Sequence, residues 1–168
     1  MQYNRLGNTG LKVSELCLGT MTFGSEFYNI GEVGQPLANK MVQTALNAGV
    51  NFFDTADIYS YGESEKILGN ALSKSDADRQ DVVIATKVRG AMSEEAAEGT
   101  GDVNNVGLGR KHIFEACENS LERLNTEYID LYQVHGWDYD SPMEETLEAL
   151  NDLVRSGTVR YVGCSNWS

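Results

Sequence analysis

Five short apolar runs alternate with four amphipathic ones along this chain, and that order allows few folds. The runs SELCLGT (14–20), VNFFDTA (50–56), DVVIATK (81–87), YIDLYQVH (128–135) and VRYVGCS (159–165) read as strands. The first helix between them is ANKMVQTALNAG (38–49), with Leu37, Met41, Ala45 and Leu46 on one face and Gly49 as its stop. ESEKILGNALSK (63–74) turns Ile67, Leu68, Ala71 and Leu72 inward, and RKHIFEACENSLERL (110–124) turns Ile113, Ala116, Cys117, Leu121 and Leu124 inward. SPMEETLEALNDLVRSG (141–157) carries the strongest boundary signals. Ser141 is its expected cap, Pro142 suits its first turn, Glu144 completes a capping box and Gly157 ends it. Continuous apolar strands separated by such helices mean a parallel sheet covered by helices. YNRLGNTGLKVS (3–14) precedes them as a small hairpin turning at Gly7 to Gly10, and a Gly-, Glu- and Asn-rich loop occupies residues 88–109. No linker divides the chain, so residues 1–168 are expected to form a single domain.

Chemistry gathers at the strand ends. Asp54 closes the second strand, Lys87 the third, His135 the fourth, and Ser165 and Asn166 follow the fifth. In a parallel arrangement all of these stand on one rim, where open α/β sheets and (β/α)8 barrels bind their ligands. Tyr59, five residues past Asp54, lies in the loop over the same rim. Each residue alone has a structural explanation: a loop anchor, a solvated lysine, a packed tyrosine, a core histidine. Together they read as an acid. A phenol is a poor proton donor near neutrality, an ammonium beside it stabilises the phenolate, a carboxylate holds the ammonium, and an imidazole steadies a carbonyl oxygen. The set contains no nucleophile or metal, so two electrons for a reduction have to come from a cofactor.

Composition excludes several other partners. The net charge of -12 disfavours nucleic acid and anionic membranes, and no apolar run is long enough to span a bilayer. The only histidines, His112 and His135, are too far apart for a metal-ligand spacing. Cys17, Cys117 and Cys164 are an odd count and each falls in an apolar segment, which predicts buried free thiols in a reducing cytoplasm.

The stretches NFFDTADIYSYGESEKILGNAL, VVIATKV, RLNTEYIDLYQVHGWD and VRYVGCSNWS resemble the aldo-keto reductase family, in particular bacterial reductases akin to potassium-channel β subunits. The resemblance runs from about Gln2 to the end of the chain. It implies a (β/α)8 TIM barrel that reduces an aldehyde or ketone with NADPH. It places the family's catalytic tetrad on Asp54, Tyr59, Lys87 and His135, with Tyr59 as proton donor. It also gives Ser165 and Asn166 to the nicotinamide carboxamide, sets Thr20 and Met21 beside the cofactor, and puts Trp137 at the border of the substrate pocket.

Family members continue through three further strands, so the expected architecture is an incomplete barrel: five parallel strands, four intervening helices and an N-terminal hairpin. The resemblance assigns most of the grip on the adenosine and phosphates to the part beyond residue 168, so NADPH is expected to bind this chain weakly if at all. Two open sheet edges and an apolar inner face are expected to make it a homo-oligomer. Three functions fit such a chain: a carbonyl reductase, a non-catalytic binding or regulatory module, and a half-barrel that assembles with itself.

Overall fold

The computed structural model describes residues 1–25 and 32–167. The chain opens with an antiparallel hairpin of β1 (Tyr3–Arg5) and β2 (Lys12–Ser14), closed where the Leu6 amide donates to the Leu11 carbonyl. Gly7, at a φ of 56°, supplies the left-handed residue that the turn needs. The hairpin is fastened to the loop ahead of the second sheet strand: the Tyr3 hydroxyl donates to Gly49 O, and the Ser14 amide donates to Asn51 Oδ1.

The main sheet has five parallel strands: β3 (Leu18–Gly19), β4 (Phe52–Asp54), β5 (Val83–Val88), β6 (Ile129–Val134) and β7 (Val159–Cys164). They lie in the order of the sequence, each beside the next. Helices α1 (Gln35–Asn47), α2 (Glu63–Ser73), α4 (Arg110–Leu124) and α5 (Met143–Ser156) cover one face. Two apolar clusters lie between them and the sheet. Phe53 and Ile84 pack with Val42 and Leu68 of α1 and α2. Ile129, Tyr132 and Val134 pack with Ile113 of α4 and Leu150 of α5. Side chains alternate along a strand, so the remaining positions face the concave side. There Lys87 and Gln133 meet Asp54, and Leu131 meets Gln133 against Gly163. The inner face is therefore mixed polar and apolar rather than the apolar patch expected.

Several boundaries differ from the sequence reading. Ser14 belongs to the hairpin, because its hydroxyl donates to Leu16 O and turns the chain; only Leu18 and Gly19 of the first apolar run pair in the sheet. On α1 the buried residues are Ala38 and Val42, and Leu37 is exposed, so the inward face is rotated by one position. Helix α5 starts at Met143 with no side-chain cap, since the Ser141 hydroxyl donates to Asp138 Oδ2 instead. Gly157 ends α5 in the left-handed conformation, as read. The long loop contains a further short helix, α3 (Glu94–Glu98), whose capping Ser93 accepts from the Ala96 amide. Cys117 is buried, but Cys17 and Cys164 are exposed, since they lie beside or on the two outermost strands.

Candidate active site

The predicted strand-end residues lie on one rim, and three hydrogen bonds explain how. Lys87, near the end of β5, is buried to 6% exposure. Its Nζ donates to Asp54 Oδ1 at 2.6 Å and to Thr55 O at 2.6 Å, and reaches the Tyr59 hydroxyl at 3.4 Å. The ammonium also stands 5.0 Å from the centre of the Tyr59 ring, a cation–π distance. His135 follows β6, with its backbone amide on Val88 O. Its ring meets Tyr59 edge-on, with centroids 5.6 Å apart. Burial pushes the His135 imidazole down to about 4, and Lys87 adds to the effect against a smaller opposing pull from Asp54. The ring is therefore neutral at neutral pH.

Tyr59 owes its position to an unusual turn. Residues Ser60, Tyr61 and Gly62 all have positive φ, at 47°, 49° and 87°. Two consecutive non-glycine residues in that region are costly, and the turn is pinned from outside. The Ser60 hydroxyl donates to Ser25 O, and the Ser25 amide donates to the Glu63 carboxylate. Below it, Ser64 hydrogen-bonds with the hydroxyls of Thr20 and Thr55 and donates to Thr20 O, which locks the ends of β3 and β4 onto α2.

The remaining predicted residues are distributed unevenly. Met21, Tyr59, His135 and Asn166 line one cleft of about 460 Å³, together with Ile58 and Arg89. Thr20 is fully buried, and its hydroxyl is turned to Ser64 and the Asp54 carbonyl. Ser165 is half-buried behind Asn166 and accepts from its side-chain amide. Trp137 is not among the lining residues of this cleft; its carbonyl accepts from Arg89 Nε, and its ring lies 5.1 Å from that of Trp167 and 6.2 Å from that of Tyr139.

Three neighbours of the site escaped the sequence reading. Gln133 donates to Asp54 Oδ2, the oxygen that Lys87 leaves open. Strand alternation carried that signal, since Gln133 lies two residues before His135. Asp57 is 1% exposed, and burial, reinforced by the negative charge of Glu65, pushes its carboxyl up to about 8. Arg89 holds a backbone φ of 142°. Nothing in the local sequence marks either as unusual.

A parallel sheet with Lys, Asp, Tyr and His gathered at the carboxyl ends of its strands defines a (β/α)-type domain with a cluster of titratable side chains at the rim. The aldo/keto reductase family profile matches residues 15–168. The versiconal hemiacetal acetate reductase of Aspergillus parasiticus is 42% identical over 99% of this chain and 51% of its own length. A probable voltage-gated potassium channel β subunit of Oryza sativa subsp. japonica is 40% identical over 100% of this chain and 47% of its own. An aldo-keto reductase of Bacillus halodurans, solved in its holo form, superposes with a TM-score of 0.80 at 36% identity, covering 99% of this chain and 50% of that one. The chain belongs to the aldo/keto reductase family, and its five strands are part of that family's barrel. It spans about half the length of the curated relatives it matches.

Proposed function

We propose that this chain carries the acid–base half of a nicotinamide-dependent carbonyl reductase, with Tyr59 as the proton donor. The observation that supports it most is the Lys87 ammonium, held by Asp54 and lying 3.4 Å from the Tyr59 hydroxyl. Reduced nicotinamide, NADPH in this reading, supplies a hydride to the carbonyl carbon when bound. As the C=O double bond opens, Tyr59 gives its phenolic proton to the oxygen, so that the alcohol forms and no free alkoxide accumulates. The phenolate left on Tyr59 is stabilised by Lys87, whose charge Asp54 keeps in place. His135, neutral in this setting, donates a hydrogen bond to the same oxygen. With a value near 4, about one imidazole in a thousand is protonated at pH 7, which argues for Tyr59 as the acid. Asn166 and Met21 line the cleft beside Tyr59, and an amide side chain there matches the hydrogen-bonding pattern of a carboxamide. Ser165, joined to Asn166, and Thr20, beneath Met21, would support that end of the cofactor from behind. Trp137 would border the bound carbonyl compound.

The test is consumption of NADPH with an aromatic aldehyde, with the alcohol product quantified. Tyr59→Phe is expected to lower the rate by at least about a hundredfold, a usual size for a lost general acid. An unchanged rate in Tyr59→Phe would remove Tyr59 from the role.

A further inference from the structure

Arg89 is the one charged side chain among the described residues lining the cleft; the others are apolar, or are Tyr59, Tyr61, Asn166 and a neutral His135. Its Nε donates to Trp137 O at 2.9 Å, and the guanidinium lies against Gly136, the residue after His135. No described carboxylate forms an ion pair with it. The Arg89 charge helps hold the nearby Asp138 carboxyl below its ordinary range, but that carboxylate accepts its hydrogen bonds from the Leu108 and Asp140 amides and the Ser141 hydroxyl rather than from the guanidinium.

The backbone makes the arginine conspicuous. A φ of 142° disfavours any side chain and suits glycine. The conformation is held where the Arg89 carbonyl accepts from the Gly107 amide. A strained position that carries a long cation in the lining of the cleft that holds Tyr59 and His135 is the pattern of a residue kept for recognition rather than for folding.

We propose that Arg89 selects carbonyl substrates that bear an acidic group, a carboxylate above all, by pairing its guanidinium with that group while the carbonyl lies at Tyr59 and His135. The proposal rests on the reductase reading and adds the substrate class to it. A carboxylate matches the guanidinium fork in shape as well as charge. The net charge of -12 repels an anion at long range, so the preference has to come from this short contact.

The experiment compares para-formylbenzoate with its methyl ester as ligands of the full chain, by heteronuclear NMR titration read at the amides of Gly90, His135 and Asn166. The acid is expected to bind about tenfold more tightly than the ester, the size of one charge-assisted pair. Arg89→Gln is expected to bring the two to equal affinity, and Arg89→Lys to keep part of the preference. Arg89→Gly provides a second variant that relieves the backbone and so guards against misfolding; it too is expected to erase the preference. Equal affinities in the parent, or a preference that survives Arg89→Gln and Arg89→Gly, would overturn the proposal. If the ester still perturbs the His135 amide in that case, the carbonyl site stands and only the acid selectivity falls. If neither compound perturbs these amides, both readings fall. Loss of NADP+ binding in Arg89→Gln, with the acid–ester preference intact, would give the guanidinium to the cofactor and also overturn the proposal.

Discussion

Asp57 and Lys87 are both buried near the strand ends, and their surroundings could hardly differ more. Lys87 is saturated by Asp54, the Thr55 carbonyl and the Tyr59 hydroxyl. Asp57 has one oxygen on the Ile58 amide and its Oδ2 without a partner among the described residues. Two predictions follow from these environments. Lys87→Met leaves the Asp54 carboxylate without its counter-charge and the Tyr59 phenolate unsupported. Reductase activity is expected to drop by about a hundredfold or more, and a Lys87→Met variant as active as the parent would argue against the proposed acid. For Asp57, the folded value of about 8 lies above the ordinary carboxyl value of 3.8. The folded state therefore binds this proton more tightly than the unfolded state does. Its contribution to stability is full below about pH 4 and is lost as the pH rises through about 8. Asp57→Asn keeps an oxygen acceptor for the Ile58 amide without the charge. Denaturant titrations should show the variant gaining on the parent across that window and exceeding it by at least about 1 kcal/mol above pH 8. A difference that does not change with pH would show that Asp57 is not the buried acid described.

At the scale of elements, α2 and α4 are held together by two features that a helix taken alone would not require. Glu65 of α2 is fully buried, with one carboxylate oxygen on Arg123 Nε at 2.6 Å and the other on the Thr86 hydroxyl at 2.5 Å. Gly69 sits where α2 crosses the end of α4, and a Cβ there would come within 2.8 Å of the Leu124 Cα. Alanine at an exposed helical glycine normally adds about 0.5–1 kcal/mol of stability. Here Gly69→Ala is expected to cost about 1–3 kcal/mol, because the two helices would be forced apart. Thermal or denaturant unfolding measures the sign directly, and a stabilised variant would mean that the helices have room to separate. Much at this scale was legible in the sequence. Helix α4 occupies the residues its apolar spacing marked, and α5 ends at Gly157 because a left-handed stop was written there. The start of α5 was misread because Ser141 serves Asp138, which the fold brings within reach.

At the scale of the molecule, strands β3 and β7 each have a neighbour on one side only among the described residues. Val162 of β7 is 46% exposed. Unpaired strand edges with exposed apolar side chains favour pairing between chains. The 168-residue chain is therefore expected to associate with itself as its concentration rises, with the charge of -12 opposing larger aggregates. Light scattering over a dilution series checks this. Val162→Lys is expected to shift the balance toward monomer, and a monomeric mass at every concentration would show that the edges are protected. No helix among the described residues is long and apolar enough to cross a membrane.

The alternation of strand and helix, the five strands and the residues at their carboxyl ends could all be read from local pattern, because periodicity and capping act over a few residues. The resemblance to a family was legible for the same reason: its motifs are continuous stretches such as NFFDTADIY. Tertiary structure alone decided the rest. It set Lys87 between Asp54 and Tyr59, residues separated from it by 33 and 28 positions. It turned Thr20 inward to Ser64, brought Gln133 to the second oxygen of Asp54, and gave Arg89 its strained backbone in the lining of the cleft. Hydrogen bonds and burial between residues distant in sequence depend on which strands become neighbours and on how each side chain competes for partners. No local spacing encodes that competition.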